Sequence, residues 1–166
     1  GIGVANGTDA LFLSLKALDI GVGDEVITVS NTAVPTVSAI VSTGAIPKFV
    51  DINPSTYLID IEQIESAITC HTRCILPVHL FGQCADMDQI RSIAKKNNLF
   101  VVEDCAQAHF AKYKDELAGS MSDLGAFSFY PTKLLGAYGD GGIIITNQKV
   151  FESRLRRLRF YGMEKS

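Results

Sequence analysis

The sequence lacks the features that mark several large classes of protein. No apolar run reaches the roughly 20 residues that a membrane-spanning helix needs, and the first residues do not resemble a secretory signal. Lys and Arg number 15 against 18 Asp and Glu, so the formal charge of −3 gives no electrostatic basis for binding nucleic acid. We therefore expect a cytoplasmic protein with neither a membrane nor a nucleic acid among its partners.

The sequence also lacks a recognisable metal or disulfide pattern. Its four cysteines are not spaced like the ligands of a usual zinc site; they are Cys70, Cys74, Cys84 and Cys105. His71 lies between the first two, but three possible ligands without a convincing fourth do not complete a tetrahedral site. With 47% hydrophobic residues the chain needs no disulfides to hold a core, so we predict reduced cysteines and no metal.

The hydrophobic pattern predicts a single α/β domain, undivided by repeats or linkers. Short apolar, β-branched runs predict strands at residues 26–30, 46–52, 74–80, 99–103, 126–130 and 142–146. Several runs are apolar at successive positions, which is typical of strands covered on both faces. Helical periodicity lies between the early runs, at residues 8–18, 61–68 and 87–96. This alternation predicts a three-layer α/β/α domain over residues 1–166, with a mostly parallel sheet.

The later part of the chain breaks this alternation. Only residues 131–141 separate the last two predicted strands, and glycines crowd this segment. Because so short a connection cannot hold a crossover helix, the last strand is predicted to run antiparallel. Residues 149–161 then predict a basic amphipathic helix.

A small turn containing Asn6, Gly7 and Thr8 opens the first predicted helix. Its backbone N–H groups and the positive end of the helix dipole would suit a phosphate group. An ordinary helix cap by Asn6 or Thr8 is the simpler interpretation of these residues alone. Residues 31–34, after the strand at 26–30, leave the same choice between lining a pocket and capping a helix.

Two adjacent acids, Glu103 and Asp104, end the apolar run that starts at Leu99. Because side chains alternate along a strand, the two carboxylates are expected to point to opposite faces, one solvated and one held in a site. A carboxylate there could bind a metal, act as a base or pair with a ring nitrogen. Capping a helix or turn is an equally good interpretation without further context.

A lysine follows the predicted strand at residues 126–130. Ser128 supplies a hydroxyl group, Pro131 makes a rigid turn, and Lys133 comes next to a flexible glycine-rich segment. A lysine that is partly desolvated beside aromatic rings loses proton affinity and becomes a nucleophile toward carbonyl groups. An exposed lysine without function is the common alternative.

Taken together, these groups match what pyridoxal 5′-phosphate (PLP) requires. The helix N-terminus and Ser128 would hold the phosphate, Lys133 would form the Schiff base, and Asp104 would keep the pyridine nitrogen protonated. A nucleotide-binding Rossmann domain is disfavoured, because no G-x-G-x-x-G motif follows the first strand.

Five ordered segments resemble the DegT/DnrJ/EryC1/StrS family of PLP-dependent sugar aminotransferases; they are residues 6–10, 77–83, 101–109, 128–133 and 139–142. The resemblance implies a fold type I large domain and a homodimer. It also implies site residues, which are Gly7, Thr8 and Ser128 for the phosphate, Asp104 for the ring nitrogen, Gln107 for the ring hydroxyl and Lys133 for the internal aldimine.

The activity implied is amine transfer, commonly from glutamate, to a nucleotide-linked keto sugar. Two departures stand out: Ala33 replaces an aromatic residue that stacks on the cofactor in many relatives, and family members are about twice this long. An N-terminal arm and a C-terminal small domain are therefore expected to be missing. The alternatives are PLP-dependent sugar dehydration, in which some relatives replace the lysine by histidine, and a truncated, non-catalytic PLP-binding or regulatory protein.

Overall fold

A computed structural model describes residues 1–163, so the last three residues of the predicted domain lie outside the described part. The strands are β1 (Ile2–Val4), β2 (Glu25–Val29), β3 (Ile46–Val50), β4 (Thr72–Ile75), β5 (Phe100–Asp104), β6 (Lys112–Tyr113), β7 (Glu116–Leu117), β8 (Leu124–Ser128) and β9 (Gly142–Ile145). The helices are α1 (Gly7–Ala17), α2 (Val34–Thr43), α3 (Ile61–Ala67), α4 (Met87–Asn97) and α5 (Lys149–Arg159).

Seven of these strands form one sheet in the order β1-β9-β8-β5-β4-β2-β3. The pairs from β3 to β8 are all parallel, whereas β9 is antiparallel to both of its neighbours. The predicted antiparallel last strand is therefore confirmed. The short strands β6 and β7 form a separate hairpin.

The crossover helices cover both faces of the sheet. The connection through α2 moves from β2 toward the β3 edge, whereas those through α3 and α4 move in the other direction along the sheet. Right-handed crossovers consequently place α2 on one face and α3 with α4 on the other. In agreement, α1 packs against α2 and α5, while α3 packs against α4. The predicted three-layer α/β/α architecture is confirmed.

The core lies between these layers and explains the apolar runs of the sequence. Val26 and Ile27 of β2, Ile75 of β4 and Val102 of β5 are all fully buried in the central strands. Strands covered on both faces have no side that favours polar residues. In α4, which is polar on its exposed side, Met87, Ile90 and Ala94 supply the buried stripe.

The predicted strand at residues 74–80 is wrong after Ile75, where β4 ends. Leu76 N–H still donates to Ile27 O, but Pro77 has no N–H group and interrupts the ladder. Pairing with β5 resumes at Val78, which forms an isolated parallel bridge with Asp104. In this bridge Asp104 N–H donates to Pro77 O and His79 N–H donates to Asp104 O, each at 3.0 Å. These bonds fix the backbone of Asp104 from the side of β4.

The ends of β1, β5 and β8 and the start of β9 meet at one edge of the sheet. Gly142 pairs with both Val4 and Ser128 in the ladder. A Cβ atom at Gly142 would lie 2.4 Å from the carbonyl oxygen of Asn6, so this approach of the first turn to the sheet requires glycine.

Among residues 1–163, no helix has both the length and the apolar character needed to cross a membrane.

Candidate functional site

A cavity of about 400 Å³ opens at this carboxyl edge of the sheet. Ligands of open α/β sheets bind at such edges, and the volume lies in the range of small-molecule sites. Segments that follow β1, β2, β5 and β8 all contribute to its wall. The lining residues are Asn6, Gly7, Thr8, Leu11, Ala33, Pro35, Thr36, Asp104, Ala106, Ser128, Tyr130, Thr132, Lys133 and Asp140.

The first turn of α1 forms one wall of the cavity. The Asn6 side chain caps the helix by accepting a hydrogen bond from Asp9 N–H at 2.8 Å, so the capping interpretation is correct for Asn6. The cap leaves the amides of Gly7 and Thr8 without a hydrogen-bond partner among the described residues. The turn is therefore both a capped helix start and a source of free N–H donors at the positive end of a helix dipole.

Gly7 brings this turn into contact with the end of β8. A Cβ atom at Gly7 would lie 2.6 Å from Cβ of Ser128 and 3.0 Å from its Oγ atom, closer than side chains tolerate. The Ser128 hydroxyl, which accepts a hydrogen bond from Tyr130 N–H at 3.3 Å, thus lies beside the free amides. Two backbone N–H groups and two hydroxyls, of Thr8 and Ser128, converge on one polar corner.

Asp104 faces the cavity from the end of β5 and is buried. Its Oδ2 atom accepts a hydrogen bond from the Thr36 hydroxyl at 2.8 Å, and its Oδ1 atom accepts one from Ala106 N–H at 3.1 Å. Burial raises the pKa of the Asp104 carboxyl above its ordinary value, while these two hydrogen bonds favour the charged form and oppose the rise. A cation placed in the cavity would favour ionisation further.

Glu103 points to the opposite face of β5, away from the cavity. Its carboxylate accepts hydrogen bonds from Gly119 N–H (2.7 Å), Met121 N–H (3.0 Å) and the Ser122 hydroxyl (2.8 Å). A fourth bond joins it to Nε2 of His79 at 2.9 Å. The predicted opposite orientation is confirmed. Neither acid is solvated, because the loop at residues 118–122 covers Glu103 and Asp104 is also buried.

His79, Glu103 and Cys105 form a buried cluster whose potential ligand atoms lie within 4.8 Å of one another. These atoms are already committed. Nδ1 of His79 accepts a hydrogen bond from Ala85 N–H at 3.2 Å, so Nε2 is the nitrogen that donates to Glu103. Burial and the nearby Glu103 charge raise the pKa of the Cys105 thiol well above its ordinary value. The cluster therefore acts as a hydrogen-bonded support and offers no set of free metal ligands.

Lys133 follows a tight turn at the mouth of the cavity. Its N–H group donates to Tyr130 O at 2.8 Å, while Ala137 N–H donates to Phe129 O at 2.8 Å and closes the segment behind it. The side chain is half-buried and lines the same cavity as Asp104 and the first turn of α1. Polar groups from three distant parts of the sequence thus share one small volume.

The structure does not bring every predicted site residue together. Gly7, Thr8, Asp104, Ser128 and Lys133 line the cavity. The side chain of Gln107 is exposed and is not part of the lining; its Oε1 atom accepts a hydrogen bond from Phe81 N–H at 2.8 Å. Its contact with a ring hydroxyl stays a prediction.

Some lining residues were not singled out from the sequence, above all Thr36 and Asp140. Ala33, the expected departure from an aromatic residue in many relatives, does reach the cavity wall. Thr32 and Thr36 are four residues apart at the start of a helix, a spacing that puts two hydroxyls on one face. That spacing was the available signal for Thr36.

The three-layer fold with its carboxyl-edge cavity is that of the fold type I PLP-dependent aminotransferases. The chain belongs to the DegT/DnrJ/EryC1/StrS aminotransferase family, whose sequence pattern matches residues 1–166. The resemblance inferred from five segments is confirmed.

One relative is the dTDP-3-amino-3,4,6-trideoxy-alpha-D-glucose transaminase of Micromonospora megalomicea subsp. nigra. It is 56% identical over 163 residues, which cover 98% of this chain and 44% of that protein. The X-ray structure of S. venezuelae DesV in complex with a ketimine intermediate has a TM-score of 0.97 at 46% identity, covering 99% of this chain and 44% of that one.

The crystal structure of NtdA from Bacillus subtilis with bound cofactor PMP is also similar. Its TM-score is 0.89 at 39% identity, over 94% of this chain and 35% of that one. The present chain therefore spans less than half the length of the relatives that it matches.

Proposed function

We propose that residues 1–166 form the PLP-binding large domain of an aminotransferase that transfers an amino group, commonly from glutamate, to a nucleotide-linked keto sugar. The observation that carries the proposal is the convergence of a half-buried lysine, a buried carboxylate and a set of free N–H donors in one cavity. When bound, PLP supplies a ring that accepts electrons from the substrate carbon.

The polar corner at Gly7, Thr8 and Ser128 fits the phosphate group of this cofactor. A dianion needs donors without competing acceptors, and the two free amides and two hydroxyls meet that need. The absence of a side chain at Gly7 keeps the corner open toward Ser128. These groups bind and orient the cofactor through the end that takes no part in the reaction.

Asp104 fits a protonated ring nitrogen. Its two oxygens are held by Thr36 and Ala106, so the carboxylate cannot turn away from the cavity. A buried carboxylate of raised pKa gains most from a cationic partner, because that partner offsets the cost of burying its charge. Asp104 would thus stabilise the positive ring nitrogen.

Lys133 is the group proposed to hold the cofactor covalently through its Nζ atom. Once released, the same Nζ atom would accept and return the proton that moves during amine transfer. A lysine is required at this point for transfer, whereas some dehydrating relatives carry histidine. The transaminase names of the relatives support transfer over dehydration and over a non-catalytic role.

Borohydride trapping tests this assignment. The natural full-length protein is incubated with PLP, reduced, digested and mapped by mass spectrometry, with Lys133→Arg as the matched control. We expect one pyridoxyl adduct, on Lys133, and none in the variant. An adduct on a different lysine would remove Lys133 from its role, and absence of any adduct would contradict PLP binding. Amine transfer from glutamate to a panel of nucleotide-linked keto sugars then tests the substrate class.

We further propose a cytoplasmic homodimer. Apolar side chains beside the cavity mouth are exposed in the single chain, among them Leu134, Leu135 and Tyr138. Such a patch favours association with a second protein surface. Sedimentation over a concentration series should give a dimer for the full-length protein, and substitution of Leu134 by Glu should shift it toward monomer. A wild-type protein that stays monomeric would contradict the proposal.

A further inference from the structure

Two threonines connect α2 to the Asp104 carboxylate. The Thr36 hydroxyl donates to Oδ2 of Asp104 at 2.8 Å, and the Thr32 hydroxyl lies 2.7 Å from the Thr36 hydroxyl. Thr36 is only 1% exposed, so water does not compete for its hydrogen bonds. The three groups form a chain that runs from Asp104 at the cavity wall through the buried Thr36 to the half-buried Thr32.

The direction of this chain follows from counting hydrogens. A hydroxyl group has a single hydrogen to donate, and that of Thr36 goes to Asp104. The bond between the threonines therefore has Thr32 as donor and Thr36 as acceptor. A donor whose oxygen also accepts a hydrogen bond is polarised and donates more strongly.

This use of Thr36 differs from the usual role of threonine near a helix start. Such hydroxyls commonly bond to the backbone of the same helix. Thr43, also buried in α2, does so by donating to Ile40 O at 2.7 Å. Thr36 instead bonds to a residue 68 positions along the chain, on another element of the site.

We propose that Thr36 is a positioning residue for Asp104, and that Thr32 in turn orients the Thr36 hydroxyl. Ala106 N–H holds the other carboxylate oxygen, so both oxygens are fixed and their free lone pairs face the cavity. The inference rests on the proposed function, in which Asp104 meets a cationic ring nitrogen. His79 and Lys133 are the titratable groups that also influence Asp104, from the segment after β4 and from the turn after β8.

The test compares Thr36→Val, Thr36→Ser and Thr32→Val with Thr43→Val as the matched control. In the cofactor-free full-length protein, the titration of Asp104 is followed by carbon-detected NMR. Thr36→Val should move protonation of Asp104 to higher pH, because a donor to the charged form is lost. Thr36→Ser should restore the wild-type titration, Thr32→Val should give a smaller change in the same direction, and Thr43→Val should give none.

Affinity for PLP is measured on the same variants by fluorescence titration. Loss of one hydrogen bond to a charged group should weaken binding about tenfold in Thr36→Val, with Thr36→Ser near wild type. An unchanged Asp104 titration in Thr36→Val overturns the proposal, as does a change of equal size in Thr43→Val. If Thr36→Val does not fold, Thr32→Val decides, and no change in its titration overturns the proposal. The titration of Asp104 is measured without cofactor and does not depend on PLP binding. A protein that binds no PLP would therefore contradict the proposed function but not the effect of Thr36 on Asp104.

Discussion

Glu103 and Asp104 are neighbours in sequence, both buried carboxylates, and yet they occupy opposite kinds of environment. Glu103 is surrounded by four donors from the loop at 118–122 and from His79, which leave no room for a ligand. Asp104 has two donors and an open side toward a cavity. The hydrogen bonds of Glu103 all hold the protein together, whereas Asp104 can still accept hydrogen bonds from a ligand.

Unmet hydrogen-bonding capacity, more than burial, separates the acid proposed to be functional from the structural one. Burial is nearly complete for both residues and does not distinguish them. A carboxylate with all its lone pairs occupied is stable and inert. The alternation of a β-strand produces both environments within two residues, and the same change from acid to amide can test each.

The largest effect is expected for Asp104→Asn. A neutral amide cannot stabilise a positive ring nitrogen, so turnover should fall about 100- to 1,000-fold in the full-length protein. The unfolding temperature should change little, because the variant buries no charge. Steady-state kinetics measures the loss of turnover, and thermal unfolding of the same sample measures the change in unfolding temperature. Wild-type turnover in this variant would remove Asp104 from the site.

Glu103→Gln is expected to show the reverse pattern. Each carboxylate oxygen of Glu103 accepts two hydrogen bonds, and the new NH2 group replaces one of these oxygens. Two donors therefore lose their acceptor; they are Met121 N–H and the Ser122 hydroxyl if Oε1 is replaced. The free energy of unfolding should fall by about 3 kcal/mol. Denaturant titration measures the loss, and the protein that remains folded should keep its turnover. Crippled turnover at full stability would mean that the roles of the two acids are exchanged.

A smaller loss is expected for His79→Leu, which sharpens the comparison by removing one of the four donors. Glu103 loses its bond to Nε2, and Ala85 N–H loses the acceptor Nδ1. Stability should fall by about 2 kcal/mol. If the substitution costs nothing in a denaturant titration, the His79–Glu103 pair is not a support. Met87→Leu, a volume-conserving change in the same core, serves as the control.

The smallest effect concerns the pH dependence of stability in the cofactor-free protein. The pKa of Asp104 is raised in the folded state above its ordinary value of 3.8, so its protonated form favours folding. Its contribution to stability is complete below pH 3.8 and is lost as pH rises through the folded-state pKa. The free energy of unfolding of the wild type, relative to that of Asp104→Asn, should therefore decrease as pH rises. A flat difference would contradict the raised pKa.

Periodicity was sufficient to predict the layers, because buried apolar strands and amphipathic helices carry their pattern locally, although it gave no bounds for α2. It missed β1, with three residues, and the hairpin of β6 and β7, with two residues each, because segments so short show no period. It extended β4 too far, since the apolar run continues past Pro77, where the ladder is interrupted and only a single bridge at Val78 follows.

Within the site, motif residues such as Lys133 and Asp104 were accessible from the sequence because they follow strand ends. The partners of Glu103 and the bond from Thr36 to Asp104 were not. Those contacts join residues that are 16 to 68 positions apart, and no local pattern records which loop folds over which strand.

The pairing of β1 with β9 has a consequence for synthesis of the chain. Within residues 1–163, the first strand of the sheet pairs with β9 alone, and their register joins Val4 to Gly142. At the usual pace of translation, these partners leave the ribosome on the order of ten seconds apart. During that interval the turn at Gly7 cannot pack against the sheet, and Lys133 emerges before the polar corner is complete. If this corner holds the phosphate, as proposed, a nascent chain cannot bind the cofactor there until β9 has emerged, and assembly of the site belongs to the end of folding.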